Sequence, residues 1–252
     1  MGSCSAIIGK GDERLVEKGE TKMLIDMLPT WRHVFKLDPQ KELSDEDLHE
    51  LCQSGTDAVM VGGTDGVTFD NTVELLGRIR RYELPCVQEV SSREAVVPGF
   101  DGYLVPVVLN ASDTQWVVGA QHEAVKAFGG MIPWTDVVAE GYVVLNPHAK
   151  VAKLTGSRTD LTGEDITAFA EMAEHLLRLP ILYVEYSGMY GDTKMVQAAR
   201  KGISNTQLIY GGGIRHPEQA REMAAIADTV VVGNILYENL GQALRTVTAV
   251  KN

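Results

Sequence analysis

Short apolar runs rich in β-branched residues alternate with longer segments of helical period along most of the chain. Strands that are apolar on both faces are typical of a parallel sheet covered by helices, and eight such units in about 220 residues are typical of a closed barrel. The predicted strands are HVFKL, AVMVGG, CVQEVS, GYLVPVVLN, GYVVLN, ILYVEYS, QLIYGG and TVVVGN. A doubly wound open sheet is the structural alternative.

The segments between these strands carry recognisable helix starts, with one exception. Ser44 with Asp47 resembles a capping box, Thr162 precedes GEDITAFAEMAEHLLRL, and a proline follows His216 in the first turn of PEQAREMAAIA. Between CVQEVS and GYLVPVVLN there is only SREAVVPGFD, which is too short and too interrupted by Pro-Gly for a full helix. We therefore predict an α/β fold, a modified (β/α)8 TIM barrel whose third covering helix is absent or replaced.

Length and composition are those of one globular domain. The chain has 252 residues, of which 44% are hydrophobic, and we expect residues 25–252 to form a single barrel domain. Residues 1–24 lack the apolar stretch of a signal peptide and soon become charged, so we predict an N-terminal extension there. No apolar run reaches the roughly 20 residues of a spanning helix, so any membrane contact would be peripheral.

Charge and cysteine content restrict the partners and the compartment. A formal net charge of -11 would repel phosphate backbones, which argues against nucleic acid as a partner. The three cysteines are too few and too scattered for a disulfide framework or a zinc site. This pattern fits the reducing cytoplasm.

Chemistry-bearing residues stand at the ends of the predicted strands, where barrel enzymes place their sites. Lys36 and Asp38 share one face at the end of the first strand, and Thr64 follows Gly62 and Gly63 at the end of the second. A cation, a carboxylate and a hydroxyl together suit a phosphate and a divalent metal. A plain Lys36–Asp38 ion pair and a helix-capping Thr64 are the structural alternatives.

Glycines end the seventh and eighth strands, at Gly211–Gly213 and Gly233 before Asn234. Turns without side chains let backbone N–H groups approach an anion, which favours phosphate over plain tight turns. On the sixth strand Glu185 has the parity of Tyr183 and therefore faces the same mouth. It is a candidate general base, and a structural partner for Lys36 is the alternative.

A set of motifs in sequence order resembles the geranylgeranylglyceryl/heptaprenylglyceryl phosphate synthase family, and its bacterial heptaprenylglyceryl branch most closely. They are FKLDP, GTDAVMVGGTDGVT, VPVVLN, EGYVVLN, YVEYSGMYGD, YGGGIR and ADTVVVGN, and the resemblance extends from Trp31 to the C-terminus. It implies a homodimeric, Mg2+-dependent prenyltransferase of lipid biosynthesis. Such an enzyme joins the C3 hydroxyl of sn-glycerol-1-phosphate to heptaprenyl diphosphate and releases diphosphate.

The resemblance also implies roles for individual residues. Lys36 would contact glycerol phosphate, and Asp38 and Thr64 would hold Mg2+. With the hydroxyl so held, the strand position of Glu185 suits it to take the proton from the attacking hydroxyl. Further contacts to glycerol phosphate would come from Tyr183, Val184, Glu185, Tyr186, Ser187, Gly188, Gly213, Gly233 and Asn234.

The polyprenyl tail is too long for a packed barrel interior, so we expect it to run along the outside. The short SREAVVPGFD connection leaves strands three and four poorly covered, and we predict an apolar groove there that is lined by Phe100 and Tyr103. Three functional alternatives stay open: a geranylgeranylglyceryl phosphate synthase, another phosphate-binding barrel enzyme such as a phosphosugar isomerase or an indole-glycerol-phosphate-type lyase, and a non-enzymatic phosphate sensor.

Overall fold

Eight parallel strands close into a barrel in sequence order. The computed structural model describes residues 23–251. The strands are β1 (His33–Leu37), β2 (Ala58–Val61), β3 (Cys86–Glu89), β4 (Gly102–Val108), β5 (Val137–Val144), β6 (Ile181–Glu185), β7 (Gln207–Gly211) and β8 (Thr229–Val232). Each strand pairs with the next one, and β8 pairs with β1 through Val34 and Val231. The closed barrel is confirmed, and the open sheet is excluded.

Helices follow the strands and cover most of the barrel. They are α1 (Leu24–Met27), α2 (Asp45–Cys52), α3 (Phe69–Ile79), α4 (Gly119–Phe128), α5 (Lys150–Thr155), α6 (Gly163–Glu171), α7 (Thr193–Lys201), α8 (Pro217–Ala224), α9 (Ile235–Glu238) and α10 (Leu240–Lys251). A π-helical turn, Met172–Leu176, continues α6. In the described stretch, none of these helices is long and apolar enough to cross a bilayer.

Alternation along the strands builds two apolar layers. Side chains of one parity, such as Val34, Met60 and Ile209, fill the barrel interior. Side chains of the other parity, such as Phe35 and Leu208, pack beneath the helices. Because both faces are buried, few strand positions face solvent, which explains why the strand sequences are nearly continuous apolar runs.

The helix starts follow the sequence signals. The Ser44 hydroxyl accepts the N–H of Asp47 at 3.0 Å. Thr162 forms a capping box with Asp165 before α6. A proline occupies the first turn of α8. These contacts satisfy N–H groups that have no partner within a helix.

The third covering helix is replaced, as predicted. Between β3 and β4 the chain makes only a 3-10 turn, Arg93–Ala95. The buried Gln88 amide holds this turn, because it donates to the carbonyl of Ala95 at 2.7 Å and accepts from the N–H of Val97 at 3.1 Å.

The chain enters the barrel from below, at the N-terminal ends of the strands. Leu24 is wholly buried and lies so close to Gly102, the first residue of β4, that a Cβ there would sit 2.4 Å from Leu24 Cδ2. The carbonyl of Leu28 accepts from the Gln207 side chain at the start of β7. Residues 1–22 of the predicted extension lie outside the described residues, whereas Leu24, which we assigned to the extension, packs in the barrel floor.

Candidate active site

A cavity of about 360 Å3 opens at the C-terminal ends of the strands. Its walls include Lys36, Asp38, Thr64, Tyr183, Glu185, Ser187, Gly188, Gly213, Gly233 and Asn234. The structure therefore brings together most of the residues that the sequence singled out, although they come from five different strand ends. This convergence is what a closed parallel barrel imposes.

A larger opening of about 540 Å3 lies at the opposite end of the barrel. There the Arg32 guanidinium donates to the carbonyls of Ala224 and Asp228 at 2.8 and 2.7 Å. Arg200 pairs with the Asp228 carboxylate at 2.6 Å. Both cations bind the protein itself, so we assign a structural role to this opening.

The ends of β7 and β8 form a cradle without side chains. Gly212 and Gly213 have positive φ angles of 154° and 53°, and a Cβ at Gly213 would lie 2.1 Å from the backbone of Met189. Within residues 23–251, the N–H groups of Gly212, Gly213 and Gly233 have no hydrogen-bond acceptor. Unpaired N–H groups that line a cavity are suited to hold an anion.

Glu185 lies at the bottom of the cavity and is only 1% exposed. Its Oε2 accepts the hydroxyl of Tyr142 at 2.7 Å, and its Oε1 accepts the N–H of Ser187. Burial raises the pKa of this carboxyl, while the Lys36 charge and the two hydrogen bonds oppose that rise. A carboxylate with a raised pKa and a fixed orientation is suited to accept a proton.

Lys36 has a different partner from either one that the sequence suggested. Its Nζ lies 2.5 Å from Glu89 Oε2, and Glu89 is 7% exposed. Burial would lower the pKa of Lys36, but the carboxylates of Glu89 and Glu185 outweigh it and raise that pKa. The Lys36–Asp38 pair does not form in the part of the chain that the structure describes. Lys36 lines the cavity as a cation already neutralised by Glu89.

A third carboxyl group, that of Glu140, lies in the barrel beneath this pair. It is fully buried, and neither of its oxygens has a hydrogen-bond partner in the described chain. Burial, and then the charge of Glu89, raise the pKa of Glu140 well above its ordinary value. The direction of this shift favours the protonated, neutral form of Glu140.

The protonation of Glu140 gives a prediction for the pH dependence of stability. Folded Glu140 keeps a proton that the unfolded chain loses above about pH 4.3, so its contribution to stability falls as pH rises towards the folded pKa. In Glu140→Gln this loss is absent. We therefore expect the unfolding free energy of the variant, minus that of the wild type, to increase with rising pH by up to about 1.4 kcal/mol per pH unit. Denaturant titrations at several pH values measure this difference, with Glu83→Gln, at an exposed position, as the control. The same pH dependence of unfolding free energy in Glu140→Gln and the wild type would contradict the prediction.

Asp38 and Thr64 supply oxygen atoms at the rim of the cavity. Asp38 Oδ1 accepts the N–H of Gln40 at 3.0 Å and lies next to Gly63. Asp65, beside Thr64, pairs with Lys150 at 2.6 Å. No cluster of three or more His, Cys, Asp or Glu residues suited to a metal occurs among residues 23–251. One carboxylate and one hydroxyl still fit Mg2+, because that ion keeps several waters and takes its other ligands from substrate phosphates.

Two residues of the predicted set point away from the cavity. Val184 belongs to the layer beneath the helices, and Tyr186 packs there with its ring 6.3 Å from that of Tyr210. The two-residue period of β6 sends both side chains outward, while Tyr183 and Glu185 point inward. Any contact of Val184 or Tyr186 with a ligand would therefore come from the backbone.

The predicted flank is apolar but closed at its base. Phe100 and Tyr103 are 7% and 8% exposed, and their rings meet edge to face at 6.1 Å. The Tyr103 hydroxyl donates to the carbonyl of Val97 at 2.9 Å. Four exposed apolar side chains stand on α3, just after the 3-10 turn and just before α4: Phe69, Val73, Val96 and Val118.

Several residues of the site are not predicted by the sequence pattern. Glu89 was assigned only to a strand, Glu140 precedes the predicted strand GYVVLN, and His148, which lacks metal-ligand spacing, was given no role although it lines the cavity. Lys41, Lys150, Arg215 and Tyr237 also line it. The two-residue period of β3 and β5 is the signal that predicts Glu89 and Glu140 to face the barrel interior.

The fold and the site together define a (β/α)8-barrel enzyme. The family model described as the PcrB family matches residues 26–251, and the chain belongs to that family. The heptaprenylglyceryl phosphate synthase of Geobacillus kaustophilus (strain HTA426) is 57% identical over 90% of this chain and 95% of its own. The enzyme of the same name from Anoxybacillus flavithermus (strain DSM 21510 / WK1) is 56% identical over 89% of this chain and 97% of its own. The family resemblance is confirmed, and the chain is a prenyltransferase.

Solved structures share the fold. The (S)-3-O-geranylgeranylglyceryl phosphate synthase of Thermoplasma acidophilum, crystallised with sn-glycerol-1-phosphate, superposes with a TM-score of 0.78 at 23% identity, covering 91% of this chain and 99% of its own. Tryptophan synthase subunit alpha from Legionella pneumophila str. Paris gives 0.54 at 16% identity, covering 92% of this chain and 99% of its own. At these identities the likeness concerns the fold alone.

Proposed function

We propose that this prenyltransferase transfers a heptaprenyl group from heptaprenyl diphosphate to the C3 hydroxyl of sn-glycerol-1-phosphate. The products are heptaprenylglyceryl phosphate and diphosphate. Relatives of 55–57% identity that bear this enzyme's name support the choice of substrates. The observation that carries the proposal is the placement of Glu185, a buried carboxylate at the bottom of the cavity that the glycine cradle also lines.

The acceptor is held by its phosphate in this proposal. The unpaired N–H groups of Gly212, Gly213 and Gly233 would bind the phosphate, with Asn234 beside them. A glycerol unit anchored there extends its free hydroxyl into the cavity towards Glu185. Holding the hydroxyl beside its base lowers the activation barrier, because the translational and rotational entropy of bringing the two groups together has already been lost on binding.

Glu185 then acts as the general base. As the C3 oxygen attacks the allylic carbon, its proton passes to a Glu185 oxygen, the new C–O bond forms, and the old C–O bond breaks to release diphosphate. Tyr142 and the N–H of Ser187 hold the carboxylate in place. When bound by Asp38 and Thr64, Mg2+ would screen the diphosphate charge.

The tail lies on the flank of β3 and β4 in this proposal. Phe100 and Tyr103 would form the floor of its path, and Phe69, Val73, Val96 and Val118 its exposed sides. Tail contact with this surface would contribute about 25 cal/mol per Å2 of apolar area removed from water, so donor length should influence binding. We also propose a cytoplasmic homodimer, on the family resemblance, with only peripheral membrane contact.

The decisive experiment is incubation of the purified full chain with sn-glycerol-1-phosphate, Mg2+ and prenyl diphosphates of graded length. Heptaprenylglyceryl phosphate as the preferred product supports the proposal. Preference for the geranylgeranyl donor would show that the chain is a geranylgeranylglyceryl phosphate synthase instead. Absence of any prenyl transfer would overturn the proposed reaction. Omission of Mg2+, with a chelator, tests the metal in the same assay.

Gly233→Ala tests the phosphate cradle. A Cβ at Gly233 would lie 3.6 Å from the carbonyl of Lys36, an ordinary contact, so the fold should accept it. The methyl group would obstruct the anion, and we expect the KM for glycerol phosphate to rise about tenfold or more, with little change for the prenyl donor. Equal effects on both substrates would contradict the cradle. Gly213 is unsuited to this test because any side chain there meets the Met189 backbone.

A further inference from the structure

Lys41 lies beside the glycine cradle without a role in the site as described so far. Its Nζ donates to Asn234 Oδ1 at 2.8 Å and lies 4.8 Å from the centre of the Tyr237 ring. The Tyr237 hydroxyl in turn accepts the N–H of Asp38 at 2.9 Å. The Lys41 ammonium is therefore held at the mouth between the loops that follow β1 and β8.

The other Lys and Arg side chains of the cavity already have carboxylate partners. Lys36 pairs with Glu89 at 2.5 Å, and Lys150 pairs with Asp65 at 2.6 Å. Arg215 makes two contacts with Glu238, at 2.7 and 3.2 Å. Within residues 23–251, Lys41 is the one cation of this cavity without a carboxylate within 4.0 Å.

A phosphate monoester carries close to two negative charges at neutral pH. Backbone N–H groups supply only partial charges, and the net charge of -11 opposes the approach of any anion. An ammonium group beside the cradle that is not paired with a carboxylate would offset much of this electrostatic repulsion of the phosphate. Because its present partner is a neutral amide oxygen, Lys41 can exchange that contact for a phosphate oxygen without leaving a buried charge unpaired.

We propose that Lys41 is the cation that recognises the phosphate dianion of the acceptor, and that Asn234 and Tyr237 hold it in place until the phosphate arrives. Lys41 then determines the preference for a phosphorylated acceptor over free glycerol. Lys36, neutralised by Glu89, faces the hydroxyl end of the acceptor. This inference rests on the proposed function, since it assigns a residue to the same acceptor site.

Calorimetric titration of the full chain with sn-glycerol-1-phosphate tests the proposal directly. We expect Lys41→Met to weaken binding by about ten- to a hundredfold, the range for loss of a charged hydrogen bond, and Lys41→Arg to restore part of it. Lys153→Met is the matched control, because it removes the same charge from an exposed position of α5 outside the cavity. Thermal unfolding should be unchanged in all three variants.

Steady-state kinetics separate the acceptor phosphate from the donor diphosphate. The KM for glycerol phosphate should rise in Lys41→Met while the KM for the prenyl diphosphate stays near the wild-type value. A rise for the prenyl donor alone, or equal glycerol phosphate binding by wild type and variant, would overturn the assignment of Lys41. If the wild type binds no glycerol phosphate at all, the proposed function fails instead. Inorganic phosphate bound by the wild type and lost in Lys41→Met would still support Lys41 as the anion's cation.

Discussion

Replacing Glu185 with glutamine should lower kcat by about 10²- to 10⁴-fold, the range for removing a general base. The amide has the size of the carboxyl group and can still accept one of its two hydrogen bonds, from Tyr142 or from Ser187. The fold and the affinity for glycerol phosphate should therefore change little. Single-turnover assays with saturating substrates measure the chemical step, and calorimetry measures the affinity.

Two companion variants make this result specific. Tyr142→Phe removes only the hydrogen bond that orients Glu185, so its loss should be smaller than that of Glu185→Gln. Glu164→Gln makes the same chemical change on the exposed face of α6 and should leave kcat unchanged. Wild-type turnover by Glu185→Gln would remove the base from the mechanism.

Replacing Asp38 with asparagine should lower turnover by about 10²-fold or more, because the substitution removes the hard anionic ligand for Mg2+ at a departing diphosphate. The asparagine side-chain oxygen can keep the contact with the N–H of Gln40, so thermal stability should change little. Raising Mg2+ in the assay should recover part of the activity.

The control for Asp38 is Asp160→Asn, which removes the same charge from an exposed residue before α6. A drop common to both variants would indicate a general charge effect. Full activity of Asp38→Asn across a Mg2+ titration would remove Asp38 as a ligand.

The pattern of apolar residues predicts the barrel because each strand is buried on both faces and is therefore a continuous apolar run. The missing third helix is also predicted, because the ten residues SREAVVPGFD, with an internal Pro-Gly pair, are too few to form a helix that covers two strands. The strand-end rule then brings Lys36, Asp38 and Glu185 to one mouth before any coordinate is known.

Sequence pattern fails where a contact depends on register around the barrel. The pairing of Lys36 with Glu89 joins β1 to β3 across β2, and no spacing along the chain indicates it. The raised pKa of Glu140 depends on its burial and on charges from three other strands, those of Glu89, Lys36 and Glu185. Lys41 lies in a loop, where no periodic pattern indicates which way a side chain points. Its place in the site becomes evident only from its hydrogen bond to Asn234.

The entry of the chain through the barrel floor decides how this enzyme can be displayed or tethered. Leu24 packs against the first residue of β4, and the carbonyl of Leu28 receives a hydrogen bond from the first residue of β7. A linker joined just before these residues leaves from the face opposite the cavity. A chain immobilised through that end would present its open mouth to the bulk phase, where micelles or vesicles carrying a long prenyl donor could reach it without meeting the support.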